Sequence, residues 1–258
     1  MKRDSFQKLT INRAQLEIPR ESYQRDLNTD RVKKIVAEFD ERIANEPKVS
    51  YRNGHYYVFD GQHTIAARKL RNGGKDLNII CKVYHGMTEG EEALLFAQQT
   101  GASASLTAGA RVRALIFGGD PQAIAFQKAT EDVGLHLDFS QKRGRKRIAC
   151  IATAFDEFKA LGANRYKNGL KIILSAWNGE PESLRREVLQ GITRFVDLYY
   201  EEFDQERLVK RLRCVDPLTI YREGRALGVN IAGYKKYLHQ VFLIYNGSSK
   251  KTALPMKF

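Results

Sequence analysis

The chain has few cysteines and few prolines for its 258 residues. Its three cysteines, Cys81, Cys150 and Cys214, lie far apart, so no pair has the spacing of a metal-binding or redox motif. Each is therefore expected to be a buried thiol, and the composition predicts a reducing, cytoplasmic environment. With only six prolines and 43% hydrophobic residues, the chain is expected to fold rather than to stay disordered.

Long apolar runs are also missing from the sequence. No run approaches the roughly 20 residues that a membrane-spanning helix needs, so no membrane partner is expected. Residues 1–10 carry charges without an apolar core behind them, which argues against a signal peptide.

The sequence has an excess of positive charge. Lys and Arg number 43 against 30 Asp and Glu, which gives a formal net charge of +13. Such an excess favours a polyanionic partner, most often nucleic acid, and DNA is the partner that we expect.

Two short segments concentrate this charge. Residues 141–147, QKRGRKR, hold five cations in seven positions, and residues 206–213, ERLVKRLR, hold four in eight. Clustered cations release counterions when they meet phosphates, whereas scattered ones mainly aid solubility. The first segment is the leading candidate for DNA contact, and the second is a further one. The predicted nucleic-acid residues are Lys142, Arg143, Arg145, Lys146 and Arg147.

Strand and helix patterns alternate in the first part of the chain. Apolar residues from Val32 to Ile43 recur at helical spacing and predict a helix capped by Asn28 or Thr29. Asn53-Gly54 is typical of a tight two-residue turn, and the aromatic and β-branched residues around it predict a β-hairpin.

A capping box marks a later helix start in the same part. Thr88 and Glu91 have the spacing in which a side-chain hydroxyl and a carboxylate bind each other's backbone N–H groups. The neighbouring Glu89 and Glu92 are explained by the same helix start, since carboxylates favour its positive dipole end.

From residue 106 onward nearly all patterns are helical. Asp120-Pro121 is a typical helix start, and 135–139, LHLDF, is a short strand-like alternation. The sequence therefore predicts an α+β domain over residues 1–105 and an all-α domain over 106–258, with a loosely ordered tail after residue 245. The further predicted helices cover 146–161, 167–178, 182–203, 204–213, 217–227 and 233–245.

The segment from Tyr57 to Leu70, YVFDGQHTIAARKL, joins a strand pattern to a helical pattern through Asp-Gly. A helix N-terminus presents unpaired N–H groups and a partial positive charge, and a preceding glycine lets a ligand approach the backbone. Gly61 meets these conditions, so the corner is a candidate phosphate site.

Two side chains of this corner are candidate catalytic residues, Asp60 and His63. Asp60 is a candidate Mg²⁺ ligand, because Mg²⁺ prefers carboxylate and phosphate oxygens. His63 is a candidate general acid or base, or a donor to a phosphate. The alternative is a plain Asp-Gly bend with a solvated glutamine and a packed histidine.

Three segments resemble a known superfamily. Residues 23–40 (YQRDLNTDRVKKIVAEFD), the hairpin, and residues 56–70 (YYVFDGQHTIAARKL) are similar to the N-terminal domain shared by ParB partition proteins and sulfiredoxins. The resemblance covers about residues 16–106. Its nearest variant is the DGQHR type, found in mobile-element and DNA-modification-associated proteins, and residues 60–64 here read DGQHT.

The resemblance implies a small mixed sheet and a nucleotide-phosphate site just after the hairpin, with the upstream box Tyr23-Gln24-Arg25 folding back toward it. The cofactors considered are Mg²⁺ and a nucleoside triphosphate. The implied phosphate-binding residues are Arg25, Gly61, Gln62, His63, Thr64 and Arg68.

The sequence departs from the superfamily pattern at three places. Gln62 stands where sulfiredoxins have their reactive cysteine, which excludes sulfinic acid reduction. Thr64 stands where most relatives have a phosphate-binding arginine, and a hydroxyl lacks the charged fork of arginine. The region of the second ParB phosphate motif reads Gln98-Gln99-Thr100, without an arginine. Arg25, Arg68 or Lys69 are candidate replacements, and ParB-like CTP clamping is not expected.

Three functions are compatible with the sequence. The first is a ParB-like, DNA-associated protein with a nucleotide site at the corner, and a homodimer is considered with it. The second is a Mg²⁺-dependent NTPase, kinase or nuclease on the same fold. The third is a non-catalytic regulator whose site has lapsed.

Overall fold

The computed structural model describes residues 5–98, 107–140, 142–228, 231, 233–248 and 252–258. The chain forms two compact units, Met1–Asp120 (unit 1) and Pro121–Phe258 (unit 2). Unit 1 contains strands and helices, and unit 2 is mainly helical. The division lies later than residue 105, because the first helix after that point packs in unit 1.

Unit 1 contains a mixed five-stranded sheet. Its strands lie in the order β1-β5-β3-β4-β2. The hairpin strands β3 and β4 are antiparallel and flank Asn53-Gly54, as predicted, whereas β3 runs parallel to β5. The strands are β1 (Phe6–Asn12), β2 (Leu16–Glu17), β3 (Lys48–Arg52), β4 (His55–Asp60) and β5 (Asn78–His85).

Helices cover both faces of this sheet. They are α1 (Thr29–Ala37), α2 (Gln62–Arg71), α3 (Glu89–Gln98) and α4 (Ala108–Phe117). Val58 and Phe59 are consecutive in β4 and point to opposite faces. Val58 belongs to a buried cluster with Ile65 of α2, and Phe59 to one with Phe96 of α3 and Ala114 of α4.

The helix predicted to reach Ile43 is shorter than expected. Asn28 caps α1 by accepting the Arg31 N–H at 2.9 Å, but α1 ends at Ala37. The Asp40 carboxylate then binds both the N–H and the guanidinium of Arg42. Such local side-chain bonds compete with a helix, and Ile43 is left 77% exposed.

The capping box at α3 is confirmed, but the role predicted for Glu92 was wrong. The Thr88 N–H donates to Glu91 Oε2 at 2.8 Å, and the Glu91 N–H donates to Thr88 Oγ1 at 3.2 Å. Glu92 is fully buried instead, where it accepts the Tyr23 hydroxyl and the Arg52 Nε, each at 2.8 Å. It joins α3 to the sheet.

Unit 2 is not wholly helical. The two-residue strands β6 (His136–Leu137) and β7 (Arg147–Ile148) pair in parallel. The predicted helix at 146–161 therefore starts later, and it continues through a kink at Gly162 into the next predicted helix. The helices are α5 (Pro121–Glu131), α6 (Ile151–Trp177), α7 (Arg186–Leu198), α8 (Gln205–Arg213), α9 (Pro217–Ala226) and α10 (Gly233–Asn246).

The described part of the C-terminal tail, residues 252–258, is tied to unit 2 rather than loose. The Tyr199 hydroxyl donates to the Pro255 carbonyl at 2.8 Å. The Asn246 side chain binds both the N–H and the carbonyl of Leu254. The Phe258 ring packs edge-on against Phe242. These contacts add the tail to the core of unit 2.

The cysteine prediction holds only in part. Cys81 is buried, Cys150 is half-buried and Cys214 is exposed. Among the helices that the structure describes, none has the length and apolar character to cross a bilayer.

Candidate functional site

The corner predicted from DGQHT lies where β4 ends and α2 begins. Gly61 has φ +96°, a backbone conformation that residues other than glycine rarely adopt. A Cβ at this position would lie 3.1 Å from Pro47 Cα. No side chain caps α2. The N–H groups of Gln62, His63 and Thr64 precede the first helical hydrogen bond and give the helix a positive end.

A cavity of about 370 Å³ lies at this corner. Arg25 and Arg31 both line it, together with residues 38–40, 43–45 and 59–64. The Nε of Arg25 is buried and has no hydrogen-bond partner among the described residues. Burial and the charge of Arg31 lower the pKa of Arg25, and Asp60 opposes this only in part. Arg25 is therefore a half-buried cation whose charge Asp60 offsets only in part.

The upstream box lies against the corner. Gln62 Nε2 donates to the Arg25 carbonyl at 3.1 Å, and Gln24 Nε2 donates to the Val58 carbonyl at 3.1 Å. The Oε1 atoms of Gln24 and Gln62 are buried without a partner among the described residues. The cavity thus combines an unsatisfied donor on Arg25 with two unsatisfied acceptors.

His63 is held by α1. Its Nε2 accepts the Asn28 N–H at 3.2 Å, and its side chain is buried. Burial, with the positive charges of Arg25 and Arg31, lowers the pKa of His63 to about 4. At neutral pH it is an uncharged acceptor whose Nε2 lone pair is already engaged.

This depressed pKa predicts a pH-dependent stability. Between the unfolded pKa of about 6.5 and the folded value, the unfolded chain binds a proton that the folded chain excludes. His63 therefore contributes fully to the free energy of unfolding above pH ~6.5. This contribution falls by roughly 2–3 kcal/mol as the pH is lowered toward 4. His63→Gln should remove this loss in urea unfolding at pH 7 and 4.5, while His85→Gln, at an exposed position, should keep it. An unchanged pH dependence in His63→Gln would contradict the assignment.

Asp60, the predicted Mg²⁺ ligand, is ion-paired with a lysine. Its Oδ2 lies 3.1 Å from Lys48 Nζ, so the carboxylate is already paired. Asp40, which also lines the cavity, is bound by Arg42. The described residues contain no group of three or more His, Cys, Asp or Glu side chains placed to hold a metal. The Mg²⁺ ion expected at Asp60 stays a prediction, because Mg²⁺ is usually bound by one or two carboxylates together with substrate phosphates.

The structure brings together most of the predicted phosphate residues, but not Arg68. Thr64 lines the cavity with Gly61, Gln62 and His63. Arg68 turns to Glu41, with 2.7 Å between Nη2 and Oε2. Arg31 is the cation that sequence reasoning missed, since it is one of several basic residues in α1 and no motif marks it.

The basic segment 142–147 is exposed, as a nucleic-acid contact requires. All five of its cations are on the surface of unit 2. The segment is nevertheless anchored, because the Lys146 N–H donates to the Gly179 carbonyl at 2.7 Å. The second segment is partly structural: Arg207 binds the Asn246 carbonyl and Arg213 binds the Ser175 carbonyl.

Comparisons with known proteins add a family but no activity. No curated protein and no solved structure matches the chain. One family model, described as "Family of unknown function (DUF6551)", matches residues 18–258. Because the match spans almost the whole sequence, the chain belongs to the DUF6551 family.

Proposed function

We propose that unit 1 binds a nucleotide in the corner cavity through its phosphate, and that the chain is a ParB-like, nucleic-acid-associated protein of the mobile-element or DNA-maintenance type. The observation that carries the proposal is Arg25. Its buried Nε has no hydrogen-bond partner among the described residues, and Arg25 lines a cavity at a helix N-terminus.

The phosphate is assigned to the N-terminus of α2. The free N–H groups there and the positive helix end favour an anion. The phosphate-binding arginine of the superfamily pattern is Thr64 here, and Arg25 and Arg31 supply the positive charge in its place. A bound phosphate would also offset the burial that lowers the pKa of Arg25.

The rest of the nucleotide is assigned to the glutamine side of the cavity. The unpaired Oε1 atoms of Gln24 and Gln62 can accept hydrogen bonds from ribose hydroxyls or base amino groups. A cavity of about 370 Å³ is in the size range of small-molecule sites.

Binding rather than catalysis is proposed for this site. A general acid or base needs a free lone pair or a proton at working pH. His63 Nε2 is engaged by Asn28, and the pKa of His63 is about 4. The paired Asp60 carboxylate supports the same choice.

Nucleic-acid association is proposed for unit 2. The larger part of the +13 net charge lies there, and the exposed segment 142–147 is tied to the unit by the hydrogen bond from the Lys146 N–H to the Gly179 carbonyl. Its contacts would go to phosphates and would give affinity without reading base sequence.

Replacing Arg25 tests the nucleotide site. Arg25→Gln should weaken binding of a fluorescent nucleoside triphosphate by about tenfold or more, because charged hydrogen bonds contribute about 1.5–3 kcal/mol each. Lys33→Gln removes the same charge from an exposed position of α1 and should leave affinity within about twofold. The proposal fails if none of the four common triphosphates binds the native chain, or if both variants lose affinity equally.

A further inference from the structure

A second cavity, of about 400 Å³, lies within unit 2. Four arginines from two separate parts of the chain line it, and we name it the arginine cavity. Arg143 and Arg147 come from the basic segment before α6, whereas Arg185 and Arg186 stand at the start of α7. The sequence pattern singled out only the first two.

The inner arginine of this cavity is held in place. Arg185 has a side chain only 16% exposed and donates from Nη1 to Glu182 Oε2 at 3.1 Å. Its guanidinium lies 4.3 Å from the ring centroid of Tyr221. Its Nε is buried, makes no hydrogen bond within the described residues, and lies 3.5 Å from Glu187 Oε2. Arg185, a residue of the cavity wall, therefore keeps one buried donor that is ion-paired but makes no hydrogen bond among the described residues.

The outer arginines keep donors available. Arg143 Nη1 is 3.7 Å from Glu182, and Arg147 Nη1 is 4.0 Å from Asp138. Both distances are too long for hydrogen bonds. Arg186 donates from Nε to Glu187 Oε1 at 2.9 Å, yet its side chain is 67% exposed. These guanidiniums can still bind an oxyanion.

Charge favours an anion in this cavity. The four arginines face three carboxylates, those of Asp138, Glu182 and Glu187. Since α7 starts at Arg186 and no side chain caps it, its N-terminus adds roughly half a positive charge. The excess therefore comes from a cluster of side chains, and the helix end only adds to it.

The cavity is suited to binding and not to thiol chemistry. Cys150 lines it, but burial raises the pKa of Cys150 to about 12. Its Sγ donates to the Leu184 carbonyl at 3.5 Å. A neutral, engaged thiol is a poor nucleophile, so the arginines are not arranged around a reactive thiolate.

We infer that the arginine cavity binds a phosphate group, carried by the end of a nucleic-acid strand or by a free phosphorylated small molecule. Planar guanidiniums recognise phosphate oxygens through paired N–H donors, and this cavity brings several of them together. The inference deepens the nucleic-acid association proposed for unit 2, since Arg143 and Arg147 belong to segment 142–147. It does not rest on the nucleotide site of unit 1, because none of its residues belongs to that unit.

Calorimetric titration of the full chain tests this inference. The probes are inorganic phosphate and a short single-stranded oligonucleotide with or without a 5′-phosphate. All titrations use an Arg25→Gln background, so that failure of the unit 1 site cannot be mistaken for failure of this one. Arg143→Gln and Arg186→Gln are chosen because both side chains are more than half exposed, which spares the fold.

Each of these two substitutions should weaken binding by about tenfold. The matched control is Arg222→Gln, which removes an exposed charge from α9 outside the cavity lining and should change affinity less than about twofold. A preference for the 5′-phosphorylated strand identifies a strand end, and tight binding of inorganic phosphate identifies a free ligand. The inference is overturned if no probe binds, or if all three variants weaken binding equally.

Discussion

Replacing Glu92 with alanine is expected to lower the free energy of unfolding of unit 1 by about 3–5 kcal/mol. Glu92 is fully buried and binds Tyr23 and Arg52 at the same time. Burial and the negative charge of Glu92 raise the pKa of Tyr23 well above its usual value, so its hydroxyl remains a donor. Alanine would leave that hydroxyl and the Arg52 guanidinium without their acceptor in the protein interior.

Urea unfolding of Glu92→Ala measures this loss, with Glu91→Ala as the control. Glu91 is the next residue back in α3 and contributes the capping box, so its loss should cost only about 1 kcal/mol. The double variant Arg52→Met/Glu92→Leu should recover part of the stability, because it removes both charges together. Equal losses in the two single variants would rule out a buried network centred on Glu92.

Gly61→Ala is expected to cost about 2–4 kcal/mol and to abolish nucleotide binding at the corner. Two separate effects contribute. The backbone at φ +96° becomes strained by a side chain, and the new Cβ lies 3.1 Å from Pro47 Cα and 3.2 Å from Pro47 Cβ. Relief of this contact requires the start of α2 to move away from Pro47, which displaces the N–H groups assigned to the phosphate.

Gly54→Ala separates these two effects. Gly54 has φ +85° in the hairpin turn, but a Cβ there meets no atom within 4 Å. Gly54→Ala should therefore lower the free energy of unfolding only through backbone strain, by about 1–2 kcal/mol. Nucleotide affinity should stay unchanged. If both variants lose the same stability in thermal unfolding, the contact with Pro47 has no energetic role.

Local signals in the sequence were sufficient for several elements. The hairpin turn requires positive φ at two consecutive positions, and Asn53 and Gly54 are of the few residue types that accept such a φ. The capping box of Thr88 and Glu91 is complete within four positions. Each of these features is determined by neighbours along the chain, so periodicity and turn chemistry could predict it.

The residues that sequence reasoning missed depend on partners far away in the chain. Glu92 resembles an ordinary helix-start carboxylate until folding brings Tyr23 and Arg52 beside it. Arg31 joins the cavity only because α1 packs on α2. Arg186 likewise meets Arg143 only in the folded unit. A single sequence contains no local signal for such contacts.

The two outer strands of the unit 1 sheet also bear on self-association. A free sheet edge is a template on which another chain can add a strand and begin aggregation. The β2 edge is only two residues long and is followed closely by Pro19, so it offers little backbone for pairing. The β1 edge is longer, and two exposed apolar side chains lie near it, Phe6 on β1 itself and Ile80 on the neighbouring β5. Lys8, in the middle of β1, is exposed and ion-paired with Glu46 at 2.7 Å. A charged pair on an edge strand disfavours the addition of another chain's strand there.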